Sequence, residues 1–279
     1  LSQLNERLGK KLQDIVSTIQ IQQNEIIRGK ISQPTLIQGV AGSGKTTILL
    51  HRLAYLFYAH KKTISPSNSL IIAPNQMFID YVSDVLPNLG VEKVDTETYL
   101  FWGKKVLDWD DTFTISPEKE DLAIKEFKGS LKFLDILDEY FDIFEEDLIQ
   151  NIPYSRKDVI KRRYYELKEE FPNIDMRERL GLATDYAFAQ KQFRQGYTGF
   201  YDNTNDSDIL FKKNIYNYFR KNCNVYSLYK RLFKTDLVTK DTSKYSLKAL
   251  NSEGRVKHYR MEDLAPMVYL FFKIEGIKM

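Results

Sequence analysis

A glycine-rich stretch at residues 39–46 constrains the fold of this chain more than any other part of its sequence. It reads Gly-Val-Ala-Gly-Ser-Gly-Lys-Thr and matches the pattern G-x-x-x-x-G-K-[ST] at every position. The apolar run at residues 35–38 predicts a buried strand before it, and leucines at helical spacing in residues 46–58 predict a helix after it. A strand, a glycine-rich loop and a helix in this order indicate an α/β fold, and the alternative is a glycine-rich turn that matches by chance.

The residue types of this stretch suit the binding of a nucleoside triphosphate. Glycines allow backbone conformations that a Cβ forbids, so successive N–H groups can point at phosphate oxygens, assisted by the positive end of the following helix. Lys45 can reach the β- and γ-phosphates, and the Thr46 hydroxyl can ligate a magnesium ion between them. We therefore predict ATP and Mg²⁺ as the cofactors, with Lys45 and Thr46 as the catalytic residues of the loop.

Length and composition limit what can surround this loop. The chain has 279 residues, of which 43% are hydrophobic, enough for two domains or for one large domain with an insertion. Its one cysteine, Cys223, excludes an internal disulfide and favours a reducing compartment. No stretch approaches the roughly 20 apolar residues that cross a bilayer, and the first residues lack the layout of a signal peptide. We expect a monomeric, cytoplasmic protein without a membrane segment.

Hydrophobic periodicity divides the chain into three segments. Residues 1–107 begin with an amphipathic helix and then alternate strand and helix signals, with strands predicted at residues 70–73 and around Val94. Residues 108–255 lose most strand signals and carry aromatic-rich segments with helical spacing, which predicts a helical insertion. Residues 256–279 turn apolar again and predict a buried helix that returns to the first domain. The predicted fold is a P-loop NTPase (RecA-like) parallel sheet flanked by helices, with a mainly helical inserted subdomain.

Basic and aromatic residues near the end of the insertion have two interpretations. They either supply stacking platforms and phosphate contacts for a nucleic acid, or they form the core of a helical subdomain. The residues concerned are Tyr216, Tyr218, Phe219, Arg220, Lys221, Tyr229, Lys230, Arg231 and Phe233.

Gln23, upstream of the glycine-rich loop, is a candidate for recognising the base. Its amide can both donate to and accept from the N7/N6 edge of adenine, which selects ATP over GTP, and the alternative is an exposed polar residue of a helix. Together with residues 38–47, 70–75 and 96–99, Gln23 resembles the Q-motif and motifs I, Ia and Ib of the UvrD/Rep-type superfamily 1 helicases. With residues 14–28 included, the sequence is more closely similar to the helicase IV/HelD branch.

The resemblance implies roles for the residues that match the motifs. Lys45 would bind the triphosphate, Thr46 the magnesium and Gln23 the adenine. The residues implied to hold the nucleotide are Gln23, Gly39, Val40, Ala41, Gly42, Ser43, Gly44, Lys45, Thr46 and Thr47. Those implied to contact nucleic acid are Pro74, Asn75, Phe78, Thr98 and Tyr99. Pro74 and Asn75 depart from the Thr-containing pattern of UvrD and Rep, and the alternative is a strand-to-helix turn with Asn75 as the N-cap.

The resemblance implies the ATP-binding portion of a DNA helicase or translocase that couples ATP hydrolysis to movement on single-stranded or duplex DNA. The alternative is a HelD-like ATPase that binds and recycles RNA polymerase. In this family a catalytic Asp-Glu pair follows a further strand, which would come after a helix like that at residues 267–274. Asp138 and Glu139 do not fit that pair, because they lie at helical spacing without an apolar strand before them. We therefore expect this chain to be an N-terminal fragment that binds nucleotide without hydrolysing it.

Overall fold

The computed structural model describes residues 21–109, 113–116, 122–154, 156–194, 206–241 and 257–277. These residues form two compact units, divided between Trp102 and Gly103. The amphipathic helix predicted at the start of the chain lies outside the described residues up to residue 20. The described parts are mainly helical, with two small parallel sheets. Among the described helices, none combines the length and the apolar composition needed to cross a lipid bilayer.

The first unit contains one parallel βαβ arrangement. Its elements are α1 (residues 21–28), α2 (Lys45–Ala59), β1 (Leu70–Ala73), α3 (Gln76–Asn88), β2 (Asp95–Thr98) and the beginning of α4 (Tyr99–Val106). β1 and β2 are paired in parallel, with Ala73 opposite Thr98. These two strands confirm the pair predicted for this part of the chain, and α2 confirms the helix predicted after the glycine-rich loop.

A small apolar core holds the first unit together. Its buried members come from α2, from α3 and from the segment that leads into β2, and they are Leu50, Val82, Leu86, Val91 and Val94. β1 packs against this core with one face only: Ala73 is buried, whereas Leu70 and Ile72 are exposed. This alternation has the period of two that a half-buried strand requires.

The buried strand predicted at residues 35–38 is wrong. These residues have no regular secondary structure, and Leu36 is 83% exposed. A short apolar run becomes a strand only when a neighbouring strand pairs with its backbone, and in the described part of the chain β1 pairs with β2 alone. A RecA-like sheet is therefore not evident among the described residues, although the α/β character and the parallel pairing are.

The second unit is built mainly from helices, as predicted for the insertion. Its elements are β3 (Phe113–Ile115), α5 (Leu122–Lys128), α6 (Leu131–Gln150), α7 (Lys157–Glu170), α8 (Met176–Arg194), α9 (Asp206–Asn222), α10 (Val225–Leu232), α11 (Asp236–Asp241), β4 (Lys257–Tyr259) and α12 (Leu264–Glu275). α6 shows why the sequence folds this way. Its buried residues recur every three or four positions and include Phe133, Ile136, Leu137, Tyr140, Phe141, Phe144 and Leu148.

One strand of the second unit differs from the sequence expectation. β3 lies in the segment 108–255, which was predicted to be almost free of strands, and it pairs in parallel with β4 of the closing segment, with Phe113 opposite Lys257. α12 packs against α6, α8 and α10, where Leu264, Met267 and Leu270 are fully buried. The expected return of this helix to the first domain stays a prediction. The apolar periodicity of α12 requires a buried position but does not specify which core provides it.

Candidate nucleotide-binding site

The glycine-rich loop has a backbone that only glycine adopts readily. Gly42 and Gly44 have φ angles of 78° and 75°, in the left-handed region. No atom lies within 4 Å of the Cβ that either residue would carry, so the backbone angle and not crowding explains both glycines. Between them, the Ser43 N–H donates to the Val40 carbonyl across 3.2 Å, which closes a tight turn.

Gly39 is required for a different reason. A Cβ at this position would lie 2.6 Å from the Ser43 Oγ, closer than two such atoms can approach. The loop therefore folds back so closely that the Ser43 hydroxyl would have to rotate away to admit a side chain at position 39.

The loop leads directly into the N-terminus of α2. The N-cap residue is Gly44, which has no side chain to accept hydrogen bonds from the first turn. The first N–H groups of the helix therefore point outward without a side-chain cap, at the end of the helix where the dipole is positive. Thr46 lies half-buried in this turn and Thr47 is exposed. Together with the loop, this end of α2 forms a cradle suited to phosphate oxygens.

The Lys45 side chain lies back across the loop. Its ammonium group donates to the carbonyls of Gly39 and Val40, at 2.9 Å and 2.7 Å. Both acceptors are neutral, and a phosphate oxygen is a stronger acceptor for an ammonium than a carbonyl is. Lys45 is thus held over the loop by contacts that an anionic ligand can replace.

Gln23 lies on α1, where it is half-buried. Within the described residues its amide has no hydrogen-bond partner, so its donor and acceptor remain available to a ligand. The C-terminal end of α1 contacts α2, the helix that begins at the glycine-rich loop. The structure therefore places the predicted base-binding residue and the predicted phosphate-binding residues on two helices that contact each other.

The contact between these helices involves a residue that sequence reasoning missed. Arg52 is 6% exposed, and its guanidinium donates to several carbonyls at the end of α1 and in the segment that follows. No local pattern in the sequence predicts this contact. Arg52 lies one turn after the buried Ile48, on the side of α2 that faces the protein.

The residues predicted to contact nucleic acid lie at one edge of the sheet of the first unit. β1 ends at Ala73 and β2 ends at its register partner Thr98, so the residues after both strands lie at the same carboxyl edge. Pro74 and Asn75 follow β1, and Tyr99 follows β2. In parallel sheets this edge is where ligands bind.

Several of these residues also have a structural role. The Asn75 side chain accepts a hydrogen bond from the Phe78 N–H across 3.0 Å, which makes it the N-cap of α3. Phe78 packs against the apolar core of the unit. Thr98 Oγ1 accepts from the Phe101 N–H at 3.4 Å, and burial raises the pKa of the Tyr99 hydroxyl. The N-cap interpretation of Asn75 is therefore confirmed, and Pro74 and Asn75 are the exposed members of the group.

Replacing Asn75 by alanine should destabilise the first unit by about 1 kcal/mol, because an N–H in the first turn of α3 loses its acceptor. Thermal unfolding and amide exchange of α3 measure this loss. Asn75→Asp keeps the acceptor and should restore the stability. Asn24→Ala, at an exposed position on α1, is the matched control. Equal stability of Asn75→Ala and the wild type would contradict the capping role.

The basic and aromatic residues predicted as one group in the second unit divide by type: the basic residues Arg220, Lys221, Lys230 and Arg231 are exposed, whereas aromatic residues contribute to the core. Phe219 and Tyr229 are 3% and 2% exposed, and the Tyr218 hydroxyl donates to the Leu148 carbonyl at 3.0 Å. Tyr216 is exposed, but its hydroxyl lies 2.6 Å from the Arg177 guanidinium that donates to it. The core interpretation of these aromatic residues is thus the one that the structure supports.

Asp138 and Glu139 lie within α6, in agreement with their exclusion as a catalytic pair. Asp138 contacts the Lys273 ammonium and accepts a hydrogen bond from the Tyr269 hydroxyl at 2.6 Å, and these contacts hold the pKa of its carboxyl below the usual range despite its partial burial. Its contacts join α6 to α12. Among the described residues, no cluster of three or more histidine, cysteine, aspartate or glutamate side chains is arranged to hold a metal ion.

Comparison with family models gives one match, which covers part of the first unit. Residues 19–76 match the family model described as the UvrD/REP helicase N-terminal domain. The matched region includes Gln23, the whole glycine-rich loop, α2 and β1. Over this region the chain is similar to the UvrD/Rep-type helicases. The comparison with curated proteins gave no match.

Proposed function

We propose that this chain is the ATP-binding portion of a superfamily 1 helicase or translocase that acts on nucleic acid. The observation that carries the proposal is the loop from Gly39 to Lys45. Its two left-handed glycines, its close turn and its position at the uncapped start of α2 provide a cradle for phosphates. The family match over residues 19–76 supports the same assignment.

In this proposal each part of the site binds a different part of the nucleotide. The backbone N–H groups of the loop and of the first turn of α2 bind phosphate oxygens, and the Lys45 ammonium leaves its two carbonyl acceptors to neutralise the triphosphate. Thr46 is the residue of the loop that would ligate Mg²⁺, which screens the phosphate charges when it is bound. Gln23 on α1 would select adenine through its amide.

We further propose that this chain binds ATP without hydrolysing it. Hydrolysis requires carboxylates that hold the metal and orient the attacking water. In the described part of the first unit, β1 is followed by Pro74 and Asn75 and β2 by Tyr99 and Leu100, so neither strand leads into an acidic pair. Phosphate release from ATP at the rate of a motor enzyme would contradict this part of the proposal.

The alternative is a HelD-like ATPase whose partner is RNA polymerase. One observation bears on the choice: the aromatic residues Phe219 and Tyr229, candidates for base stacking, lie in the core of the second unit. If the chain acts on DNA, these two residues do not stack on bases, and we propose the carboxyl edge of the first sheet, near Pro74, as a binding surface. That edge is the surface to test.

The partner can be tested by titrating the chain with a fluorescent oligothymidylate at several salt concentrations. DNA binding should weaken as salt rises, with a slope of about 0.7 in log Kd per phosphate neutralised. Pro74→Glu adds a negative charge at the exposed edge and should weaken binding, whereas Asn24→Glu, on α1, is the matched control. Absence of DNA binding, together with capture of purified RNA polymerase, would favour the alternative.

A further inference from the structure

Arg52 is a buried cation whose described partners are all neutral oxygens. Its Nη1 donates to the carbonyls of Ile26 at 2.6 Å, Gly29 at 3.1 Å and Ile27 at 3.4 Å. Its Nη2 donates to the carbonyl of Lys30 at 3.1 Å and to the hydroxyl of Thr35 at 3.2 Å. One side chain of α2 thus binds the end of α1 and the segment that connects it to the glycine-rich loop.

Two of the carbonyls that Arg52 binds have no hydrogen-bond donor within their own helix. The last carbonyls of a helix have no partner within the helix, and Ile26 and Ile27 lie in the last turn of α1. A positive charge at this end also interacts favourably with the helix dipole. Arg52 therefore acts as the C-terminal cap of α1, supplied by a different helix.

The fit around the guanidinium is close. A Cβ at Gly29 would lie 3.1 Å from Arg52 Nη1, so a side chain at position 29 would crowd the guanidinium. A second contact lies nearby: the Arg28 guanidinium is 5.9 Å from the centre of the Tyr55 ring, which lies about one turn after Arg52 on α2. Arg28 of α1 and Arg52 of α2 thus both join these two helices.

These contacts connect the two halves of the proposed nucleotide site. Lys45, at the start of α2, lies seven residues or about two turns before Arg52 on the same helix. Gln23 lies three residues or about one turn before Ile26 on α1. The residues between the helices, 29–44, contain neither helix nor strand, so the Arg52 contacts add a direct connection between α1 and α2.

We propose that Arg52 is a positioning residue for base selection, because it fixes α1, and with it Gln23, relative to the phosphate-binding loop. The inference rests on the proposed function, since it requires that Gln23 recognises adenine. Arginine suits the role better than lysine: its planar fork of five N–H donors satisfies several acceptors at once, whereas an ammonium is a compact point charge.

The test is the ratio of the Kd values for GTP and ATP, measured by displacement of a fluorescent nucleotide in the presence of Mg²⁺. Two hydrogen bonds to the base predict that the wild type prefers ATP by about tenfold or more, and that Gln23→Ala brings the ratio within about threefold of one. Arg52→Met should lower the ratio as far as Gln23→Ala does. Arg52→Lys should give a ratio between those of the wild type and Arg52→Met. The Kd for GTP should change by less than about threefold in each variant.

Two further variants complete the experiment. His51→Ala, at the exposed neighbouring position on α2, is the matched control and should keep the wild-type ratio. The double variant Gln23→Ala/Arg52→Lys should have the ratio of Gln23→Ala alone, because a positioning residue has no effect once the residue that it positions is absent. Circular dichroism establishes that each variant folds. If Arg52→Met does not fold, the ratio measured for Arg52→Lys decides whether Arg52 has the proposed role.

The outcomes separate this inference from the function on which it rests. An unchanged ratio in the Arg52 variants, while Gln23→Ala still removes the preference, overturns the role of Arg52 and leaves the proposed function intact. If the Arg52 variants bind ATP and GTP equally more weakly, Arg52 is purely structural, and this result also overturns its role in base selection. A wild type without a preference for ATP overturns the assignment of Gln23 and the inference together.

Discussion

Replacing Lys45 by alanine is expected to weaken the binding of Mg·ATP by about a hundredfold or more. The ammonium group makes charge-assisted hydrogen bonds that are each worth about 1.5–3 kcal/mol, and every 1.4 kcal/mol corresponds to a factor of about ten in Kd. In the structure Lys45 donates only to the Gly39 and Val40 carbonyls within the described residues, so its removal breaks two loop contacts and no core packing. Isothermal titration calorimetry at fixed ionic strength measures the loss.

The stability of the chain distinguishes a lost ligand contact from a damaged loop. Because Lys45 makes its contacts at the surface, the melting temperature of Lys45→Ala without nucleotide should match that of the wild type. ATP should raise the melting temperature of the wild type and leave that of Lys45→Ala almost unchanged, since a ligand stabilises the state that it binds. Nucleotides with fewer phosphates should lose less affinity than ATP does.

A matched lysine tests whether position or charge alone is responsible. Lys62 is exposed and follows α2 in the first unit, and Lys62→Ala removes the same charge away from the loop. It should leave ATP binding within about twofold of the wild type. Equal losses for the two variants would show that ATP binds through diffuse charge, and unchanged binding in Lys45→Ala would show that the loop is not the nucleotide site.

The loop and its helix could be predicted from the sequence because the information there is local. A glycine at a left-handed position, such as Gly42 or Gly44, is required by the backbone of that residue alone. Asn75 was foreseen as an N-cap for the same reason, since its acceptor bonds an N–H three residues away. Such features depend on residues that are close in the sequence, and they can therefore be predicted from it.

The features that the sequence did not predict depend on distant partners. Residues 35–38 are apolar enough for a strand, but a strand exists only where another backbone pairs with it. The closing helix α12 has the periodicity of a buried helix, which does not specify the core that it joins. Arg52 has five acceptors that lie 17 to 26 residues before it in the chain, and no local pattern announces such a contact.

Breaking a buried ion pair in the second unit is expected to cause the largest loss of stability. Glu145 on α6 is 2% exposed, and its Oε1 accepts a hydrogen bond from Arg179 Nη1 on α8 at 2.7 Å. Glu145 also contacts the Tyr164 hydroxyl and the Lys168 ammonium of α7. Burial raises the pKa of Tyr164, so this hydroxyl stays protonated and donates to the carboxylate. Three helices thus meet at one carboxylate.

Arg179→Met should destabilise the second unit by about 3 kcal/mol, because it leaves the Glu145 carboxylate buried with only part of its partners. For a unit of this size, the melting temperature should fall by about 10 °C. The reactivity of Cys223 reports on the opening of this unit. The thiol is buried, and burial raises its pKa. Thiol reagents should therefore modify Cys223 only when the unit opens. Modification should be faster in Arg179→Met.

Two comparisons test whether the unpaired charge causes the loss. Glu139→Gln removes an exposed carboxylate from the same helix and should leave stability within about 0.5 kcal/mol of the wild type. The double variant Glu145→Leu/Arg179→Met replaces both charges by apolar side chains and should recover part of the loss, because no buried carboxylate then lacks its partner. If the double variant is less stable than Arg179→Met by the full cost of Glu145→Leu alone, the two residues act independently and the ion pair does not hold these helices together.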